Sequence, residues 1–81
     1  MPYCEPERRA ELDAGAVAKN VGELTYQVTS VVEEFRKTRG TMHFQDHADI
    51  IAALECSKLE YYRRVVVPYE NYKIVANGDV F

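Results

Sequence analysis

LTYQVTSVVEEFRK, residues 24–37, is the stretch that decides the fold class. Leu24, Val28, Val31, Val32 and Phe35 recur at i, i+4, i+7, i+8 and i+11, which is one stripe of an α-helix. Glu23, Gln27, Ser30, Glu33, Glu34 and Lys37 take the opposite face. The β-branched residues would suit a strand, but Val31 and Val32 are adjacent, Glu33 and Glu34 follow as a pair, and an alternating pattern fails. Glu33 and Lys37 stand in the favoured i,i+4 order for an ion pair. Arg36, Lys37 and Arg39 complement the negative end of the helix dipole, and Gly40 is placed to close it.

Working outward, the connector at residues 41–44 leads into a second and longer helical pattern, starting near Gln45 or Asp46 with Asp46 as N-cap. Its apolar side carries Ile50, Ile51, Leu54, Tyr61, Tyr62 and Val65. Glu60 and Arg64 form another i,i+4 pair. Extending to Val66, this helix spans roughly 31 Å at 1.5 Å per residue. Pro68 pushes Val67 away from helical angles, so the helix is expected to end or kink there. Residues 69–75 read as a last short helix, closed by Asn77-Gly78, with Phe81 expected to dock. Upstream, Pro6 suits the first position of a short helix with Glu7 in its first turn. Asp13 reads as the N-cap of a short alanine-rich helix over residues 14–21, broken near Asn20 and Gly22.

The fold expected is therefore all-α: a helical hairpin with one long helix and short N- and C-terminal helical segments. At 81 residues there is room for a single domain, residues 1–81. Such a chain buries only about 60–65% of the surface its unfolded form exposes. A helix too long for its hairpin partner to cover then implies oligomers. Hydrophobic residues at 47% and charged residues at 28% are a globular composition. A net charge of −3 argues against a surface dedicated to long nucleic acid. No apolar run is long enough to span a bilayer, and the opening MPYCEPERR lacks the apolar core of a secretory signal, so a cytoplasmic location without membrane contact is expected. Cys4 and Cys56 form no C-x-x-C pair and read as free thiols.

The opening Met-Pro-Tyr-x-x-Pro-Glu-Arg-Arg-x-x-Leu-Asp of residues 1–13 has a counterpart at the other end of the chain. There stand Leu-Glu-Cys-x-Lys-Leu-Glu-x-Tyr-Arg-Arg-Val-Val-x-Pro-Tyr-Glu (residues 54–70), Lys73-Ile74 and Asn77-Gly78-Asp79-Val80. Together with Gly-Glu-Leu-Thr-Tyr at residues 22–26, these resemble a family of small proteins of unknown function encoded mainly by tailed bacteriophages. The resemblance implies a phage setting, hence the cytoplasm of an infected bacterial host, and it supplies no catalytic residues. The chain ends Val80-Phe81 where the family pattern has Val-Tyr, which removes a hydroxyl.

Four clusters have chemical potential. Four of the six tyrosines and three of the ten basic residues fall within residues 61–73. If the helix runs through Pro68, Tyr62, Tyr69 and Lys73 share one face, with Arg63 beside them. Tyrosine offers a flat ring to a base, and arginine a planar fork to phosphate oxygens. Arg8 and Arg9 beside Tyr3 could complete the same site from the N-terminal arm. The competing reading makes these tyrosines interface residues and pairs Arg63 and Arg64 with Glu60 and Glu70. His43 and His47 with Asp46 could hold a divalent metal, but His43 precedes the helix and no metal site is expected. Glu33, Glu34, Asp46, Asp49, Glu55 and Glu60 lack the Glu-x-x-Glu and Glu-x-x-Asp spacing of magnesium-dependent all-α pyrophosphohydrolases. Neither cysteine has a base or oxyanion site beside it.

The expectation is a non-enzymatic, homo-oligomeric binding protein without a cofactor. Its ligand would be a nucleotide or another anionic small molecule, held by Tyr3, Arg8, Arg9, Tyr62, Arg63, Tyr69 and Lys73. In a phage such a protein would sequester a nucleotide signal of host defence. The alternative is a structural protein gripping a phage or host protein through the same Tyr/Arg surface.

Overall fold

The computed structural model describes residues 3–81, and the chain is all-α with no strand among them. The helices are α1 (Pro6–Asp13), α2 (Val21–Thr38), α3 (Phe44–Tyr61) and α4 (Val67–Asn77), with a π-helical turn, Tyr62–Val66, joining the last two. They fall into two compact units, Met1–Met42 and His43–Phe81.

In the first unit, α1 begins as read: Pro6 follows Glu5 in extended backbone, and Glu7 lies in the first turn. Its end differs. Gly15, at φ +113°, closes α1 with Gly15 N–H bonded to the Leu12 carbonyl and Ala16 N–H to the Glu11 carbonyl, both at 3.0 Å. This is a Schellman closure, available to glycine because it carries no Cβ. Asp13 is thus the last residue of α1 and caps no following helix, and residues 14–20 are irregular despite their alanines. The local terminating geometry at one glycine outweighs the few tenths of a kcal/mol per residue of alanine propensity.

Asn20 is the N-cap of α2, its side-chain oxygen accepting from Glu23 N–H at 2.9 Å. The residues read as a break are thus the start of the long amphipathic helix. At its other end Arg39 is the C-cap and Gly40 stands at φ +68°. Arg36 pairs with Glu33, so the ion pair expected between Glu33 and Lys37 is replaced by one a single residue closer.

The buried residues are few: Leu12, Cys4 and Glu23. The arm carrying Tyr3 and Cys4 crosses the start of α2. Tyr3 holds a left-handed φ of +74°, which costs about 1 kcal/mol or more for a residue with a Cβ. A Cβ built on Gly22 would stand 2.5 Å from the Tyr3 carbonyl oxygen, so only glycine lets the arm sit this close.

In the second unit α3 starts at Phe44, one residue before the sequence reading. Asp46 lies at its third position, where the carboxylate accepts from His43 N–H at 3.0 Å. His43 is therefore the N-cap residue and Asp46 its reciprocal partner. The helical path then continues through residues 44–77, about 50 Å at 1.5 Å per residue. Pro68 neither ends it nor forces Val67 out of helical angles (φ −60°, ψ −49°). The π turn accounts for this. Val67 N–H reaches back five residues to the Tyr62 carbonyl. The extra residue restarts the register, so Pro68 falls in the first turn of α4, where a missing N–H leaves no bond unmade.

Gly78, at φ +90°, ends α4 with its N–H on the Ile74 carbonyl at 2.8 Å. Phe81, expected to dock, is fully exposed. No residue of this unit is buried. None of the helices is long and apolar enough to cross a membrane.

Two outcomes follow from the arm. Gly22→Ala should cost about 1–3 kcal/mol in a denaturant titration. It should also release Cys4: a thiol reagent, which titrates exposed Cys56 quickly and buried Cys4 slowly in the parent chain, should titrate both quickly in the variant.

Candidate functional site

Arg8 and Arg9 are adjacent on α1 and therefore point in different directions. Arg8 turns toward the start of α2. Its Nη2 donates to Glu23 Oε1 and to the Val17 carbonyl, each at 3.0 Å, and its Nη1 donates to Glu11 Oε1 at 3.2 Å. The same Glu23 oxygen accepts from Lys19 N–H at 2.9 Å. Arg8 thus joins α1, the irregular segment and the first turn of α2 through one carboxylate. Gln27 adds a stitch by donating to the Ala16 carbonyl at 3.1 Å. The hydrogen bond from Arg8, followed by that from Lys19, holds the Glu23 carboxyl below its ordinary range. Arg8, expected among the ligand residues, is committed to this clamp.

Arg9 faces the other way. It lines an open groove of about 360 Å³ with Tyr3, Tyr26, Thr29, Ser30, Glu33, Glu34 and Lys37. That volume is within the roughly 300–1,000 Å³ usual for small-molecule sites. The Arg9 Nε is buried and has no hydrogen-bond partner. A buried donor left unmade costs about 1–3 kcal/mol. Lys37 reaches the groove because Arg36, not Lys37, pairs with Glu33. The Tyr26 hydroxyl donates to Asp13 Oδ1 at 2.8 Å, which, first among its causes, raises the phenol above its ordinary value. Ser30 and Glu34 also line a second hollow, about 570 Å³, with Leu12, Asp13, Gln27 and Val31.

Of the expected site, Tyr3 and Arg9 are therefore brought together in the first unit. Tyr26, Thr29, Ser30 and Lys37 were missed. Thr29 and Ser30 follow Tyr26 by three and four, and Lys37 follows Ser30 by seven, the spacing of one helix face, and that was the available signal. What hid them was that the stripe of apolar residues was followed along α2 and this face was not, with Lys37 assigned to an ion pair with Glu33.

Tyr62, Arg63, Tyr69 and Lys73 lie in the second unit. Lys73 Nζ sits 5.6 Å from the Tyr69 ring centre and 6.0 Å from that of Tyr72, a cation held over two π faces. Arg63 is paired with Glu60 at 3.0 Å, and Arg64 with the same carboxylate. Tyr62 sits at the start of the π turn. Its extra residue rotates the register by roughly 100° relative to an unbroken helix, so the common face expected for Tyr62 and Tyr69 is lost. The turn also shapes a shallow hollow lined by Cys56, Ser57, Glu60, Tyr61, Arg64 and Val65. Among the described residues no three of His, Cys, Asp and Glu are grouped as a metal site. His43 and Asp46 serve the start of α3.

A family model described as Domain of unknown function (DUF6899) matches residues 1–80. The chain belongs to this family. No curated protein and no solved structure matches it. The family therefore spans both units, the Arg8 clamp and the groove, and assigns none of them a role.

The clamp has a pH signature. Because the Glu23 carboxyl is lower in the folded chain than its ordinary 4.5, its stabilisation is complete above about pH 4.5 and fades as pH falls through the folded value. Melting temperature should drop steeply below about pH 4.5 in the parent chain. In Glu23→Gln it should start lower and decline less over the same window.

Proposed function

We propose that this chain is a non-enzymatic binding protein that self-associates and takes up an anionic small molecule, a nucleotide above all, through the groove between α1 and α2. The observation that carries the reading is the groove in which Arg9 and Lys37 stand together. The same hollow is lined by Tyr3, Tyr26, Thr29 and Ser30, and by the acids Glu33, which Arg36 pairs, and Glu34. Cations supply phosphate contacts, and tyrosine rings supply a stacking surface indifferent to which base it meets. No bound cofactor enters the reading. In a phage, as the sequence resemblance suggests, such a protein would act in the host cytoplasm and hold a nucleotide signal of host defence out of circulation.

Self-association is supported by the apolar side chains left in water. Val28, Val31 and Phe35 on α2, and Ile51, Leu54, Leu59 and Val65 on the second unit, are all exposed. Covering what each leaves exposed regains part of the roughly 1.5–3 kcal/mol that complete burial of such a side chain provides. Copies of the chain packed around a shared apolar centre would cover them, which is the oligomer the long helix implies.

A second reading has its own observation. Tyr61, Tyr62, Tyr69 and Tyr72 are each more than half exposed along the rod, between 54% and 67%. Exposed tyrosine with arginine is the composition of protein contact surfaces, so the rod end would grip a phage or host protein.

Light scattering should return a mass several times 9.3 kDa. A particle of the monomer mass would overturn self-association. Calorimetric titration with a panel of cyclic and linear nucleotides should give heat with at least one. Arg9→Ala should weaken that affinity about tenfold or more, while Arg63→Ala, whose guanidinium is already paired, should leave it unchanged. No heat with any nucleotide would remove the ligand.

A further inference from the structure

Residues 44–77 run as one helical rod, and none of them is buried. Ile51, Leu54 and Leu59 in its first half are exposed, as are Val65, Val67 and Ile74 in its second. A helix in a protein draws most of its stability from packing and little from propensity, so a rod with apolar side chains along its whole length calls for cover. Because both halves are apolar, burial alone does not say which way a covering helix runs.

Charge does. Residues 44–60 carry four acids, Asp46, Asp49, Glu55 and Glu60, against Lys58. Residues 61–77 carry Arg63, Arg64 and Lys73 against Glu70. A second copy laid parallel sets acid half on acid half and basic half on basic half. Laid antiparallel, it sets each acidic half on a basic one. A rod whose halves complement each other is complemented by its own copy turned end for end, which is the isologous contact of a twofold pair.

Near the middle the charges are already matched within the chain, Arg63 and Arg64 with Glu60 and Lys58 with Glu55. Asp46 accepts from His43 N–H. Further out, Asp49 accepts from the neutral Gln45 amide, and Lys73 lies over the Tyr69 and Tyr72 rings. Neither has an ion pair among the described residues. The midpoint of the rod falls between Glu60 and Tyr61, and a half-turn about it brings position 49 level with position 72, one residue from Lys73.

We infer that two copies of the chain pair through this rod, antiparallel, with the acidic half of each beside the basic half of the other. This rests on the self-association reading and adds to it the surface and the direction. Apolar cover supplies the affinity, and the charges, individually weak, choose between the two directions.

The test is pulsed electron paramagnetic resonance on the full chain with a nitroxide on Gln45→Cys. Cys56→Ser in the same chain leaves buried Cys4 as the one other thiol. Antiparallel rods should give a separation of about 45–50 Å between labels, from 1.5 Å per residue along the axis and 8–10 Å between axes. Asp49→Lys and Lys73→Asp should each raise the dissociation constant about tenfold in sedimentation, and the two together should return it to within a few-fold of the parent. Circular dichroism should show all three as helical as the parent. Separations confined below about 20 Å, or single variants that associate as the parent does, would overturn the antiparallel pairing and leave self-association standing. A monomer mass with no distance between labels would overturn both.

Discussion

The ion pair between Arg8 and Glu23 organises the first unit. With only Leu12, Cys4 and Glu23 buried, apolar burial alone gives α1 little reason to stay against α2. The guanidinium supplies directionality that a small core lacks, binding a carboxylate, a carbonyl and a second acid at once. Glu23 is itself part of the start of α2, through its backbone N–H on Asn20 and its carboxylate on Lys19. Helix nucleation and helix docking are therefore linked through one residue. The clamp also fixes what α1 presents elsewhere: with Arg8 turned inward, Arg9 must face the groove.

The second unit meets a different constraint, the proline at residue 68. A proline inside an α-helix removes one hydrogen bond and clashes with the carbonyl four residues back, at a cost of about 3 kcal/mol. The π turn avoids this by inserting one residue just ahead of it. The consequence reaches the surface chemistry. Aromatic and basic residues on either side of the turn are rotated apart, while Tyr69, Tyr72 and Lys73, all beyond it, remain neighbours. An accommodation of backbone geometry thus decides which side chains can act together.

The two units carry the two halves of the proposed role. Charge, hydroxyls and rings gather around a hollow in the first, which suits a small ligand. The rod of the second offers aliphatic and tyrosine side chains to solvent along its length, which suits macromolecular contact. A change in assembly and a change in ligand affinity would then be separable by mutation.

Much of the architecture was legible from residues 24–37 and their neighbours. Helical periodicity, Pro6 at a helix start, Gly40 and Gly78 at helix ends, and Glu60 with Arg64 are local matters, decided within a turn or two of chain. The same local reading misplaced the alanine-rich segment, because it weighed propensity and overlooked that Gly15 alone can take the closing conformation of α1. It also took Asn20 and Gly22 as a break when one caps a helix and the other makes room for a carbonyl. What composition could not decide was the direction of each charged side chain. Arg8 and Arg9 are chemically identical neighbours, and nothing in their order says which one meets Glu23. The choice follows from the angle at which α1 lies on α2, a contact between residues fifteen apart. Adjacency in sequence fixes that two helical side chains diverge; only the packing of one helix on another fixes which of them is held in a clamp and which is left facing an open groove.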